Sequence, residues 1–594
     1  MRFFLWFFAV IGLLAVAIVS LGFYAAFHYA GKKPQIADTT ILRFDFQRPQ
    51  TEKASIGLAD QFLGDHAISF ADTVDAIRRA ADDNRVRGLV ARTGEVPLGL
   101  AQVQELRDAI AAFRAKGKFA YAFAESFGDL SGGTRAYYLS TAFDEIWLQP
   151  VGAIGLTGVA AELPFFKGTL DKLGVTASFD RRAEYKSAMT QLTETKLPDT
   201  DREAFTGLIK SVFDQTADGI AQDRKLKPDE VRTLIDNGPY LTDDALAKHL
   251  VDHIGYADEA LDAAMKKSGA GTRVMTGPQY LAAAKVGAPT GQVIAVLRAV
   301  GEIHSGRSAS GPTGDADGVA SDDLVRAINQ ASRDSSVKAI VLRIDSPGGS
   351  ALASETIWRA LKKAHDGGKP LMVSMGDTAA SGGYFIAAPA DKIVAEPGTL
   401  TGSIGVFGGK IVTSGLWDKI GVSWDEVQQG QNAGIESTLH DYTQAQHERF
   451  ERSLDQVYHA FIAHVADGRK LDPAKVEAIA KGRVWTGAQA KENGLVDELG
   501  GLDVAVRLAK DAAGIGPGQP IVLRPYPQPR SPLQRLMTGL SGDDEDGGGG
   551  SQIGTTLGRL AALGPLLERL DLLTHAAGET NGTRATMQPV ELSH

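Results

Sequence analysis

The chain repeats itself, and the repeat limits its architecture more than any other feature. Residues 86–92 (VRGLVAR) match 337–343 (VKAIVLR) at an offset of 251, and residues 144–175 match 391–422 without a gap at an offset of 247. Eleven of those 32 pairs are identical, where composition alone would give about two. The ends echo as well, Leu250-Val251-Asp252 against Leu495-Val496-Asp497. A unit of more than 200 residues is too large for a solenoid repeat and large enough to hold a core of its own. Two tandem domains are therefore expected, over residues 40–265 and 293–514, with 266–292 as their connection and 515–594 as a spacer and tail.

Within each copy, short β-branched runs (88–92, 339–343, 371–374, 392–395) alternate with helical stretches such as 105–116 and 355–365. That alternation predicts an α/β fold of parallel strands with helices packed outside. The apolar fraction, 43%, is ordinary for packed domains. A net charge of −10 gives no whole-body attraction for nucleic acid, so no such partner is expected. The absence of cysteine excludes a disulfide framework, a thiolate zinc site and a cysteine nucleophile. His249 and His253 stand one helical turn apart but lack an evident third ligand, so no metal is expected.

Residues 3–27 carry no charge and are bracketed by Arg2 and by Lys32 and Lys33. As a helix they would be roughly 37 Å long, enough to cross a hydrocarbon core of about 30 Å. The apolar region of a cleavable signal peptide is shorter, about 7–15 residues, so a single transmembrane anchor contacting lipid is expected. The basic residues lie on both sides and do not set its orientation. Near the other end, residues 543–551 (DDEDGGGGS) read as a flexible spacer before one amphipathic helix, 557–573.

Two segments of the second copy have the composition of a reactive site. Residues 345–350 (DSPGGS) directly follow an apolar strand, where glycines let backbone N–H groups approach a ligand; an ordinary βα turn reads the same way. Residues 376–384 (GDTAASGGY) follow the next strand and lead into a helix. Ser381 there is either a helix N-cap or a hydroxyl exposed by small neighbours at the positive end of a helix. A nucleophilic serine needs a base, and none of the twelve histidines stands in a triad motif. Lysine is the other well-attested base for serine, provided burial lowers its pKa. Lys186, among small and apolar residues, fits that role or that of an exposed structural lysine.

Five stretches taken in order resemble the signal peptide peptidase A (protease IV) family in its long tandem form: residues 185–188 (YKSA), 345–349 (DSPGG), 380–384 (ASGGY), 398–406 (GTLTGSIGV) and 482–501. The likeness runs from about residue 40 to 515. It implies two Clp-protease/crotonase-like domains and a Ser–Lys dyad that needs no cofactor. Ser381 would be the nucleophile, Lys186 the general base, and backbone N–H groups of Gly348, Gly349 and Gly382 the oxyanion hole. It further implies a homotetramer that digests remnant signal peptides and other apolar peptides, anchored in a bacterial inner membrane with its bulk on the periplasmic side.

The repeat bears on this independently. At the offset of 247, Lys186 falls on Ala433 and Ser381 on Thr134, while residues 93–97 (TGEVP) stand for the glycine turn. Each copy keeps the half of a dyad that the other lacks, which predicts one site shared between them. Ser131, in its own Ser-Gly-Gly, is a lesser candidate nucleophile that aligns only with a three-residue gap and has no matching glycine turn. Two other classes fit the fold, an acyl-thioester enzyme and an inactive membrane scaffold. The anchor and Lys186 argue against the first, and intact Ser381 and Lys186 against the second.

Overall fold

The computed structural model describes residues 35–52, 68–130, 132–284, 290–308 and 318–527, together with the backbone of Arg584–Thr586. The expected anchor at 3–27, Ser131 and most of the tail lie outside these residues. Among the described residues, no helix is long and apolar enough to cross a membrane.

The two copies build the same sheet twice. In the first, parallel strands lie in the order His253–Ile254, Glu145–Leu148, Phe119–Ala124, Val86–Arg92, Thr40–Asp45, Arg273–Thr276. In the second the order is Glu498–Leu499, Lys392–Ala395, Leu371–Ala380, Val337–Ser346, Gln292–Val300, Ile521–Pro525. Central strands such as Phe119–Ala124 (FAYAFA) are buried along their whole length, as strands covered by helices on both faces must be. A 26-residue helix recurs in each copy, Asp199–Arg224 and Gln444–Arg469. Even single hydrogen bonds are duplicated. The Tyr137 hydroxyl donates to Leu250 O at 2.8 Å, and that of Tyr384 to Leu495 O at 2.8 Å.

Two boundaries move. The stretch 266–292, expected as a plain connection, contains the edge strand Arg273–Thr276 and the helix Gly277–Ala284, whose Tyr280 and Leu281 are buried in the first core. Its counterpart Ile521–Pro525, expected within the spacer and tail, is likewise the edge of the second sheet. Strands of four or five residues are too short to show a period, so nothing in their sequence separates them from linker.

A third sheet joins the copies. Strand Thr176–Arg182 of the first copy runs antiparallel to Val406–Val412 of the second, in register from Val406 opposite Arg182 to Val412 opposite Thr176. In the order of this sheet, Arg584–Thr586 lies between Val406–Val412 and Gly348–Ser350, followed by Ile303–His304 and Val319–Ala320.

A buried ion network closes the joint. Arg343, on strand Val337–Ser346, donates to Glu52 at 2.7 and 3.3 Å, to Glu105 at 2.8 Å, to Ser374 Oγ at 2.9 Å and to Met375 O at 3.3 Å. Both carboxylates come from the first copy. Burial alone would raise the Glu52 carboxyl, but the charge and hydrogen bonds of Arg343 outweigh it and hold it below the usual range. Glu105 also accepts from the Leu502 N–H at 2.8 Å. Nearby, the Gln102 N–H of the first copy donates to Asp377 at 3.1 Å, and the Gly398 N–H of the second donates to Gln104 Oε1 at 2.7 Å.

Candidate active site

Strand Leu371–Ala380 delivers Ser381 to the C-terminal edge of the second sheet, where its last residues lie between two neighbours: Ala379 is opposite Ser346, and Ala380 opposite Gly402. The chain then turns sharply into helix Gly382–Ala387. At Ser381 φ is 54° and ψ is −117°, with the N–H tied to Gly402 O at 2.8 Å. A non-glycine residue held there costs on the order of 1–3 kcal/mol, which the surroundings must impose. The tightness explains the following glycine, since a Cβ at 382 would stand 2.6 Å from Ser354 Oγ and 3.2 Å from Gly348 Cα. Ser381 does occupy the N-cap position, yet its side chain makes no capping hydrogen bond. Its hydroxyl faces Lys186 instead.

Lys186 arrives from the other copy, four residues beyond the end of strand Thr176–Arg182. The second copy forms its socket. The Tyr185 N–H donates to Lys481 O at 3.0 Å, and Gly482 packs so closely that a Cβ there would lie 2.6 Å from Lys186 N and 2.7 Å from its Cβ. Gly482 also has φ of 79°, so glycine is required twice over.

The Lys186 side chain is 2% exposed and that of Ser381 is fully covered. Nζ lies 2.8 Å from Ser381 Oγ, 3.0 Å from Ser403 Oγ and 3.1 Å from Ser403 O. Burial pushes the amine down from 10.5 to about 7. A neutral amine has two N–H groups and one lone pair. With both Ser403 oxygens taking the N–H groups, the lone pair is left for the Ser381 proton.

Ser403 lies within the 398–406 motif but carried no expected role. At the 247 offset it falls on Leu156: the copy that keeps the serine nucleophile candidate carries a hydroxyl where the other is aliphatic, a signal already present in the repeat. Ser403 has φ of 50° and is anchored by its N–H to Arg483 O at 2.8 Å. It positions Lys186. Ser403→Ala is expected to lower kcat by roughly 10–100-fold with little change in KM, because the amine loses its orientation. An unchanged kcat at unchanged thermal stability would remove that role.

The three glycines expected near the hydroxyl come together. Gly382 approaches Gly348 Cα and Gly349 N as above, and a Cβ on Gly349 would strike Ile303 O at 2.0 Å. The Gly348 N–H donates to Ser346 Oγ at 3.1 Å. The first copy has no equivalent constellation among its described residues. Thr134 donates to Gly158 O at 3.2 Å, and Ala433, which aligns with Lys186, is exposed. Ser131 lies outside the described residues. His253 stacks on Trp147 at 4.3 Å and pairs with Glu145 at 3.3 Å, while the backbone carbonyl of His249 accepts from Arg224 at 3.0 Å. Among the described residues no group of three or more potential metal ligands converges.

Comparison with known proteins gives the family of the chain. The description of peptidase family S49 matches residues 112–271 and 363–516, one stretch in each copy. The chain is 36% identical to Protease 4 of Salmonella typhi over 458 residues, 75% of this chain and 72% of that one. It is 31% identical to the chloroplastic serine protease SPPA of Arabidopsis thaliana over 472 residues, 78% of this chain and 68% of that one. A shorter relative, a putative signal peptide peptidase SppA of Enterococcus faecium, is 37% identical over 167 residues, 28% of this chain and 48% of that one.

Proposed function

Since the chain belongs to peptidase family S49 and is a serine-type endopeptidase, we propose that Ser381 is its nucleophile and Lys186 its general base, in a single site assembled from both copies. One observation carries this reading: a buried amine 2.8 Å from a buried hydroxyl, with no carboxylate among the described residues to hold the amine charged. Neutral Lys186 takes the Ser381 proton as Oγ attacks a peptide carbonyl. Of the candidate N–H groups, that of Gly348 is turned to Ser346 Oγ, and those of Gly349 and Gly382 would face the tetrahedral anion. Lys186 then gives its proton to the leaving amine, and water, deprotonated by the same lysine, releases the acyl group from Ser381.

The base works unprotonated, so kcat/KM for an apolar fluorogenic peptide is expected to rise with pH and pass half-maximum near 7. A profile flat from pH 5 to 9 would remove Lys186 as the base. The same shift sets a stability trend. Between about 7 and 10.5 the unfolded chain binds a proton at this lysine that the native chain does not, so its contribution makes stability rise with pH across that window. Lys186→Met is therefore expected to be more stable than the parent at pH 7, with the difference closing toward pH 10.5.

We further propose that the substrates are remnant signal peptides and other apolar peptides, met at the surface of a bacterial inner membrane, with residues 3–27 as the anchor and the bulk on the periplasmic side. The uncharged N-terminal stretch supports the membrane, and the relatives' names support the substrate. Carbonate extraction and protease access in spheroplasts test the placement. A homotetramer is supported by an exposed apolar rim of Leu173, Ile420, Trp424 and Val427, the last 98% exposed, which calls for a covering surface. A monomeric mass in detergent would refute it.

A further inference from the structure

The turn that seats Lys186 is strained. Lys481 has φ of 50° and Gly482 φ of 79°, two left-handed residues in succession. Only the second is glycine, and a lysine keeps that conformation where its surroundings impose it. Within the second copy, the Gly482 N–H donates to Ile404 O and the Arg483 N–H to Ala480 O, both at 2.8 Å. The first copy adds side chains. Arg483 Nη1 donates to Glu203 Oε1 at 2.7 Å, and the Tyr185 hydroxyl donates to Glu203 Oε2 at 3.1 Å. The guanidinium also lies over the Tyr185 ring at 5.0 Å and over the Trp485 ring at 4.6 Å. We propose that Arg483 is a positioning residue for the dyad: clamped by Glu203 and Tyr185, it fixes the seat of Lys186 on one side and Ser403 on the other. The proposal rests on the peptidase reading above.

The contacts close a loop. The Arg483 side chain holds Glu203, Glu203 holds Tyr185, and Tyr185 precedes Lys186 in the chain. Lys186 Nζ donates to Ser403 at 3.0 and 3.1 Å, and the Ser403 N–H returns to Arg483 O at 2.8 Å. Members come from both copies, so the loop ties the position of the amine to the joint between them. A reacting group keeps its geometry only when the residues around it are themselves fixed. The pair contributes little to folding, because the Arg483 and Glu203 side chains are 20% and 58% exposed. Its effect is on placement. The other charged groups near Lys186 are also accounted for: Glu184 accepts from Lys481 at 2.8 Å, and Arg181 donates to Lys186 O at 3.3 Å and stands 3.9 Å from Asp201. Burial depresses the amine, so the clamp acts on it by keeping water out. Arg483 and Tyr185 hold the Glu203 carboxyl below its usual range, and the clamp therefore stays charged where the amine titrates.

The test compares the full-length chain with Arg483→Ala, Arg483→Lys, Glu203→Ala and the double variant Arg483→Ala/Glu203→Ala, on an apolar fluorogenic peptide. Arg483→Ala is expected to lower kcat by about 10–100-fold with KM within about twofold, the loss that a misplacement of about 1 Å brings. Its half-maximum of kcat/KM should move up from about 7 to about 8, because a looser seat admits water to the amine. Arg483→Lys should recover part of kcat, since an ammonium reaches Glu203 but does not lie flat over two rings. Glu203→Ala should lose about 3–10-fold, and the double variant no more than Arg483→Ala, the mark of one shared loop. Should Arg483→Ala not fold, Glu203→Ala, at an exposed position, carries the same split and the same pH readout. A fall in kcat with the half-maximum left near 7 and a lowered melting temperature makes Arg483 structural and overturns the proposal. A kcat within about twofold of the parent, or losses that multiply in the double variant, overturns it as well. In these cases the peptidase reading stands, because the parent cleaves and Ser381→Ala does not. No hydrolysis by the parent takes down both.

Discussion

Ser381→Ala and Lys186→Met are each expected to lower peptide hydrolysis by at least about 10³-fold while leaving the fold and the detergent-solubilised mass unchanged. The two losses should be about equal, and the double variant no worse, because a nucleophile without its base and a base without its nucleophile fail at the same step. Circular dichroism and melting curves separate this outcome from unfolding. The geometry adds a sharper test. Both groups belong to one chain, with Nζ and Oγ 2.8 Å apart. An equimolar mixture of the two folded single variants should therefore stay silent even after subunit exchange. Recovered activity in the mixture would place the working pair across two chains and contradict the structure. Undiminished cleavage by Ser381→Ala would return attention to Ser131.

The second large effect concerns stability. Arg343→Ala is expected to destabilise the chain by about 3–5 kcal/mol, since it takes from the buried Glu52 and Glu105 the guanidinium that bonds them both. The repeat supplies its own control. Arg92 occupies the matching strand position in the first copy, where it pairs with Glu125 at 2.5 Å, but these side chains are 48% and 34% exposed against 3% for each member of the Arg343 pairs. Arg92→Ala is expected to cost less than about 1 kcal/mol. Urea midpoints of the two variants decide the matter. If Arg343→Ala unfolds no earlier than Arg92→Ala, the ion network does not hold the copies together. A conservative Arg343→Lys should recover only part of the loss, because an ammonium lacks the planar fork that reaches both carboxylates, Ser374 and Met375.

Much of this was legible before any coordinates. The identities at the 247 offset correctly laid one copy over the other, and the strands at 392–395 and 371–374 stand where alternation put them, although Leu371–Ala380 runs six residues further, to the edge of the nucleophile turn. The proposed pairing of Ser381 with Lys186 came from the resemblance to the family, and the repeat pointed the same way, with Lys186 lacking a serine in one copy and Ser381 lacking a lysine in the other. The joint itself was not legible. Thr176–Arg182 (TASFDRR) alternates only over its first five residues and holds just two apolar side chains; it is an outer strand whose partner is another copy's backbone, and main-chain pairing leaves no mark on side-chain choice. Ser403 escaped because its role depends on a neighbour 217 residues away. The edge strands 273–276 and 521–525 were simply too short to carry a period.

The socket around Lys186 has a consequence for the order of synthesis. The lysine leaves the ribosome first, and the Gly482 that seats it comes 296 residues later. At about 5–20 residues per second that interval lasts roughly 15–60 s. Throughout it Lys186 of the nascent chain first lacks Ser381 beside it and then lacks the glycine that seats it. On the proposed pairing of Ser381 with Lys186, the chain is born inert and becomes able to cut only when translation has passed the residues that bring its two halves together.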